Sequence, residues 1–139
     1  MRFFFYGTLI DPDVRRLVLG RHAPRSAEPA TLRGWRCVPV PAKSYPMLIR
    51  DPRGRLPGVL VRGLNATARQ RLIRYEDDLY EFAEIEVEIG VPSRRKSALA
   101  FVARAGRAAL GAKAWDFADW QRRHKRRFVQ RLKRRKVAA

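Results

Sequence analysis

A chain of 139 residues is long enough to bury one hydrophobic core and too short for two ordinary ones, so a single domain over residues 1–139 is expected. Its composition, 46% hydrophobic with three Trp, four Tyr and seven Phe, excludes a disordered polyelectrolyte, although 31 Lys and Arg against 13 Asp and Glu leave a net charge of +18. One cysteine, Cys37, excludes an internal disulfide framework and a thiolate zinc site, and the two histidines, His22 and His124, are too far apart to form a metal pair or a His-based triad.

The chain opens MRFFFYGTL, and Arg2 to Tyr6 reads as a buried first strand, too short and too aromatic for a helix. Gly7 stops it. Asp11 and Asp13 then interrupt the apolar start well before the ~20 residues that span a bilayer, and no small-residue cleavage site follows. A soluble, cytoplasmic protein is expected. Asp11 as N-cap and Pro12 at the first helical position begin a helix carrying Val14, Leu17 and Val18, which Gly20 closes. YGTLI is therefore a strand-to-helix loop.

After a polar stretch from Arg21 to Thr31, LRGWRCVPV predicts a second strand. SYPMLI reads as a short strand and GVLVRGL as another, joined by a hairpin around Pro52 to Gly54. Asn65 or Thr67 caps a short helix with Leu72, Ile73 and Tyr75 on its apolar face, ending near Asp78. In LYEFAEIEVEIGV, Ile85, Val87 and Ile89 alternate with Glu84, Glu86 and Glu88, a half-buried strand from which Phe82 stands out of phase. ALAFVA, residues 98–103, gives one more strand. Trp115 to Lys136 predicts one long helix with Phe117, Trp120, His124, Phe128 and Leu132 along one stripe, where His124 is packed. About six strands without βαβ alternation, two short helices and a long one give an α+β protein built on a small barrel or rolled mixed sheet.

Two clusters carry chemistry. A glycine directly after a buried strand lets the chain turn and bares the amides that follow, which can receive a carboxylate or an oxyanion; an ordinary tight turn has the same sequence. Further on, Arg74-Tyr75-Glu76-Asp77-Asp78-Leu79-Tyr80 gathers three acids at a helix end, where the macrodipole disfavours negative charge and raises a carboxylate's pKa. That suits a proton shuttle, and equally a solvated loop whose acids pair with Arg71 or Arg74. Cys37 reads as a core residue, and Trp35, Trp115 and Trp120 do too.

Taken together and in this order, FFYGTL, SYPML, LPGVLVRGL, LIRYEDDLYEFAEIEVEI and AWDFADWQRRH resemble the gamma-glutamylcyclotransferase-like, or AIG2-like, family over nearly the whole chain. The resemblance implies a small mixed β-barrel with flanking helices and a cofactor-free, metal-free cyclotransferase. It assigns the substrate loop to Tyr6, Gly7, Thr8 and Leu9, and the catalytic acid/base to Glu76. The oxyanion falls to the loop amides, alone or with Tyr80, and Tyr45 either lines the pocket or simply packs. The implied reaction releases 5-oxoproline from a small gamma-glutamyl amine. One departure stands out: the family usually has Glu-Gly where this chain has Glu76-Asp77, which stiffens the loop and adds a negative charge.

The basic C-terminal segment, about 115–139, holds ten Lys or Arg and no acid within RRHKRRFVQRLKRRK, residues 122–136. Such a helix suits nonspecific contact with nucleic acid or an anionic surface, the second reading being a catalytically weak family member that acts through this helix.

Overall fold

The computed structural model describes residues 1–24, 26–39, 46–75, 80–103 and 115–138. Five strands, β1 (Phe3–Phe5), β2 (Glu28–Pro39), β3 (Pro46–Val61), β4 (Tyr80–Ile89) and β5 (Arg94–Ala103), close a barrel in the order β1-β3-β2-β4-β5. β1 runs parallel to β5, with Phe3 opposite Leu99, and antiparallel to β3; the other neighbours pair antiparallel. The helices among the described residues are α1 (Pro12–Leu19), α2 (Ala66–Tyr75), α3 (Phe117–Arg123) and α4 (Lys125–Ala138). None is long and apolar enough to cross a membrane. The α+β barrel expected from the sequence is the fold observed.

Why four aromatics open the chain is answered by β1's position. Alternate side chains of a strand point to opposite faces, and both faces of β1 are covered. Phe4 and Tyr6 lie in one apolar cluster with Leu32, Leu60, Val87 and Ala100, which fills the barrel. Phe3 and Phe5 lie in a second, between the barrel's outer surface and the helices, with Val14, Leu19, Leu72 and Trp120. Phe82, out of phase with the buried Ile85, Val87 and Ile89, joins this outer cluster against the rings of Phe3 and Phe101.

The middle of the chain departs from expectation. The second strand starts at Glu28, four residues before Leu32, and SYPMLI and GVLVRGL are not joined by a hairpin. From Pro46 onward they belong to one 16-residue strand, β3, lying along β2 for its whole length. The turn chemistry of Asp51-Pro52-Arg53-Gly54 forms a bulge instead: Arg33 pairs with Arg55 but Trp35 with Arg50, and Asp51 Oδ1 accepts the Arg53 amide at 3.0 Å. Opposite it, Gly34 has φ +86°, and a Cβ on Gly54 would stand 2.1 Å from the Trp35 carbonyl oxygen. Between those pairs β2 has one residue, Gly34, against four in β3, and β2 changes face across it, so that Leu32 and then Cys37 both point into the barrel. Trp35 is only half-buried, under the guanidinium of Arg50 4.7 Å from its ring.

Two helix expectations also change. Ile73 is 43% exposed, whereas Ala68 and Leu72 are the buried face of α2. The C-terminal helical segment is present but broken at His124, which is exposed. Lys125 takes the inward direction in its place and reaches Asp11 Oδ2 at 2.9 Å and Asp13 Oδ2 at 2.8 Å.

That contact fastens the C-terminal helices to α1. Asp11 is the N-cap foreseen, accepting the amides of Asp13 (2.8 Å) and Val14 (3.4 Å), and it also accepts from Gln121 Nε2 at 3.0 Å. Burial pushes the Asp11 carboxyl up, but the hydrogen bonds from Lys125, Gln121 and the Asp13 amide outweigh it and leave the pKa below its ordinary value. A carboxylate lowered in the native state stabilises fully above its unfolded pKa of about 3.9 and ceases to as pH falls through the native value. Asp11→Ala is therefore expected to cost about 2 kcal/mol at pH 7, the upper range for a lost N-cap. Urea unfolding of both proteins at pH 7 and near pH 2 should show that difference shrinking on acidification; a difference independent of pH would leave the ion pair without effect.

Candidate active site

β1 ends at Phe5, and the bend comes where the sequence placed it. Gly7 has φ −119° and ψ −135°, and Thr8–Ile10 winds into a single 3-10 turn. The amide of Ile10 donates to the Gly7 carbonyl at 3.0 Å, and that of Asp11 to the Thr8 carbonyl at 3.1 Å. Since this ladder begins at Ile10, the amides of Thr8 and Leu9 precede it and take no part in it. The other end of the turn is held from α1: Arg15 Nη1 donates to the carbonyls of Leu9 (3.0 Å) and Ile10 (2.7 Å). Burial lowers the pKa of Arg15, opposed by Asp11, yet an arginine so placed remains a cation. The bend thus has two amides outside its own hydrogen-bond ladder at its start and a guanidinium at its end.

The four residues of this loop play different structural parts. Tyr6 is buried in the barrel, where its hydroxyl donates to the Phe101 carbonyl. Leu9 packs in the outer cluster. Thr8 is buried as well, and its Oγ1 lies 2.5 Å from the hydroxyl of Tyr75, 67 residues further along the chain. Tyr75 is the last residue of α2, a helix capped by Asn65, whose Oδ1 accepts the Ala68 amide at 2.8 Å. Its ring meets Phe128 of α4 edge to face, centroids 6.2 Å apart, and Phe128 meets Trp120 likewise at 5.4 Å.

Of the other residues singled out from sequence, Glu76 and Tyr45 lie outside the described residues, as do Asp77 and Asp78. Tyr80 begins β4, opposite Ala103 of β5. Cys37 is buried, and burial pushes its thiol up, away from the reactive thiolate. Sequence reasoning missed two residues that shape the bend. Tyr75 reads as one more apolar residue of an amphipathic helix, and only its hydroxyl distinguishes it from a packing Phe. Arg15 has no local signal among so many arginines.

Comparison with known proteins bears on the same residues. The family model described as gamma-glutamyl cyclotransferase, AIG2-like, matches residues 3–122, from the first residue of β1 to the end of α3. The AIG2-like protein A of Arabidopsis thaliana is 26% identical over 133 residues, covering 94% of this chain and 78% of the relative. A solution structure of an Arabidopsis thaliana protein superposes with a TM-score of 0.71 at 22% identity, over 94% of this chain and 87% of that one. A solved gamma-glutamyl cyclotransferase superposes with a TM-score of 0.56 at 11% identity, over 96% and 86%. These structural likenesses show the fold.

Proposed function

The chain belongs to the gamma-glutamyl cyclotransferase, AIG2-like family, and from that premise we propose that it cyclises a small gamma-glutamyl amine, releasing 5-oxoproline and the free amine. The observation that carries this reading is the Thr8–Tyr75 hydrogen bond. It ties the bend after β1 to the last residue of α2, and Glu76 is the next residue in the sequence.

In this reading the amides of Thr8 and Leu9 receive the substrate's alpha-carboxylate, and the Arg15 guanidinium adds positive potential beneath them. The substrate's own alpha-amine attacks its gamma-carbonyl. A carbon–nitrogen bond forms and the original amide bond breaks; of the two protons the attacking ammonium loses, one goes to solvent and one passes to the departing amine. Glu76 accepts that proton and returns it to the leaving group, so a single carboxylate serves both steps. Loop amides together with Tyr80 stabilise the tetrahedral oxyanion, and Tyr45 is assigned to the pocket lining. Because the nucleophile is part of the substrate, orientation supplies much of the acceleration. Asp77, next to Glu76 in the sequence, adds a negative charge that favours gamma-glutamyl compounds with a neutral or cationic amine portion.

Incubating the pure protein with gamma-glutamyl amino acids, gamma-glutamyl-lysine and glutathione tests this. 5-Oxoproline is expected from at least one of them, with the lysine conjugate ahead of glutathione. If every compound in the panel is returned unchanged, the cyclotransferase reading is wrong.

A further inference from the structure

The exposed face of α4 gathers a close row of cations that have no counter-charges among the described residues. Where α3 and α4 begin, cations are matched by carboxylates: Arg122 and Arg123 with Asp119, Lys125 with Asp11 and Asp13. Further along, Arg126, Arg127, Arg131, Lys133 and Arg134 are all exposed, and none makes an ion pair among the described residues. Arg127, Arg131 and Arg134 fall at i, i+4 and i+7 and so form one row, about 10 Å long at 1.5 Å per residue. Arg126 and Lys133 bracket Gln130 in the adjacent row. This second row forms one wall of a groove of about 600 Å³, whose other wall is Asp13, Arg16 and Leu17 of α1, with Asp13 paired to Lys125 and Arg16.

Like charges at such spacings repel and destabilise the helix that carries them unless an external anion relieves the repulsion. We propose that this face of α4 docks on the phosphate backbone of double-stranded nucleic acid, without reading its sequence. Three observations select that partner over other polyanions. A helix that lies in a lipid surface must offer its apolar face, and here Phe128, Val129 and Leu132 are packed against the protein's own core. Single strands are held by aromatic stacking platforms, and the one aromatic of α4, Phe128, is turned inward. A protein partner would be anchored by aromatic or apolar residues, which this outer face lacks. What remains is a rigid row of point charges, suited to a duplex with one negative charge per ~1.7 Å of axis. This proposal is independent of the cyclotransferase reading and concerns a different surface.

The test uses the full chain and a fluorescently labelled 20-base-pair duplex of arbitrary sequence, with anisotropy followed from 50 to 200 mM KCl. Neutralising five phosphates predicts a slope near −4.5 in log K against log salt, a loss of roughly 500-fold over that range. The variant carrying Arg127→Gln, Arg131→Gln and Arg134→Gln alters only exposed side chains and should melt with the wild type. Its slope should be shallower by about 2.7, with duplex affinity at 50 mM reduced more than tenfold. The proposal is overturned if the variant keeps the wild-type slope. It also fails if the wild type prefers phosphatidylserine vesicles, a polyglutamate peptide or a single strand of the same sequence over the duplex.

Discussion

Glu76→Gln should reduce kcat for 5-oxoproline release by roughly a hundred- to ten-thousand-fold, the usual range for losing a general acid/base. Glutamine keeps the size of the side chain and its hydrogen-bonding reach but cannot take up the ammonium proton. In the proposed reaction ground-state binding is assigned to the loop amides, so KM should change little, and kcat and kcat/KM should fall together. A raised KM with kcat intact would instead make position 76 a binding residue. Product formed at the wild-type rate would remove it from the reaction.

The second large effect lies far from the chemistry in sequence. Trp120→Ala should destabilise the protein by about 3–5 kcal/mol in urea unfolding, as expected for deleting a large buried aromatic. Trp120 is 1% exposed and sits among Trp115, Phe117 and Phe128. Through Phe128 it supports the ring of Tyr75, and through Tyr75 the hydroxyl of Thr8. The substitution should therefore loosen the bend as well as the helices, and lower activity at temperatures where the variant is still folded. Trp120→Phe should cost much less than its volume suggests. Its Nε1–H is buried without an acceptor among the described residues, and phenylalanine removes that unpaired donor.

The parts of this fold that were legible in the sequence are those fixed by neighbours along the chain. Asp11 and Pro12 announce α1, Gly20 ends it, and the alternation of Ile85, Val87 and Ile89 declares which face of β4 is buried. The stop at Gly7 belongs with them. Asp51-Pro52-Arg53-Gly54 shows where local reading fails. A bulge and a hairpin use the same residues, and only the partner strand, paired on both sides of it, decides between them. The break at His124 is of the same kind: an unbroken apolar stripe predicts one helix, and the sequence does not announce that Lys125, just after the break, pairs with two aspartates more than a hundred residues earlier. At the candidate site, the residue types were readable, but the hydrogen bond joining the bend to α2 was not, because Tyr75 is indistinguishable from a core aromatic until its hydroxyl meets Thr8.

The most direct measurement is an NMR titration of ¹⁵N-labelled Glu76→Gln protein with the gamma-glutamyl compound that the wild type turns over fastest. Saturable shifts of the Thr8 and Leu9 amides, larger than those along α4, are the expected result. Saturable binding that leaves both amides where they were would contradict the account, since the substrate's carboxylate would then be held elsewhere.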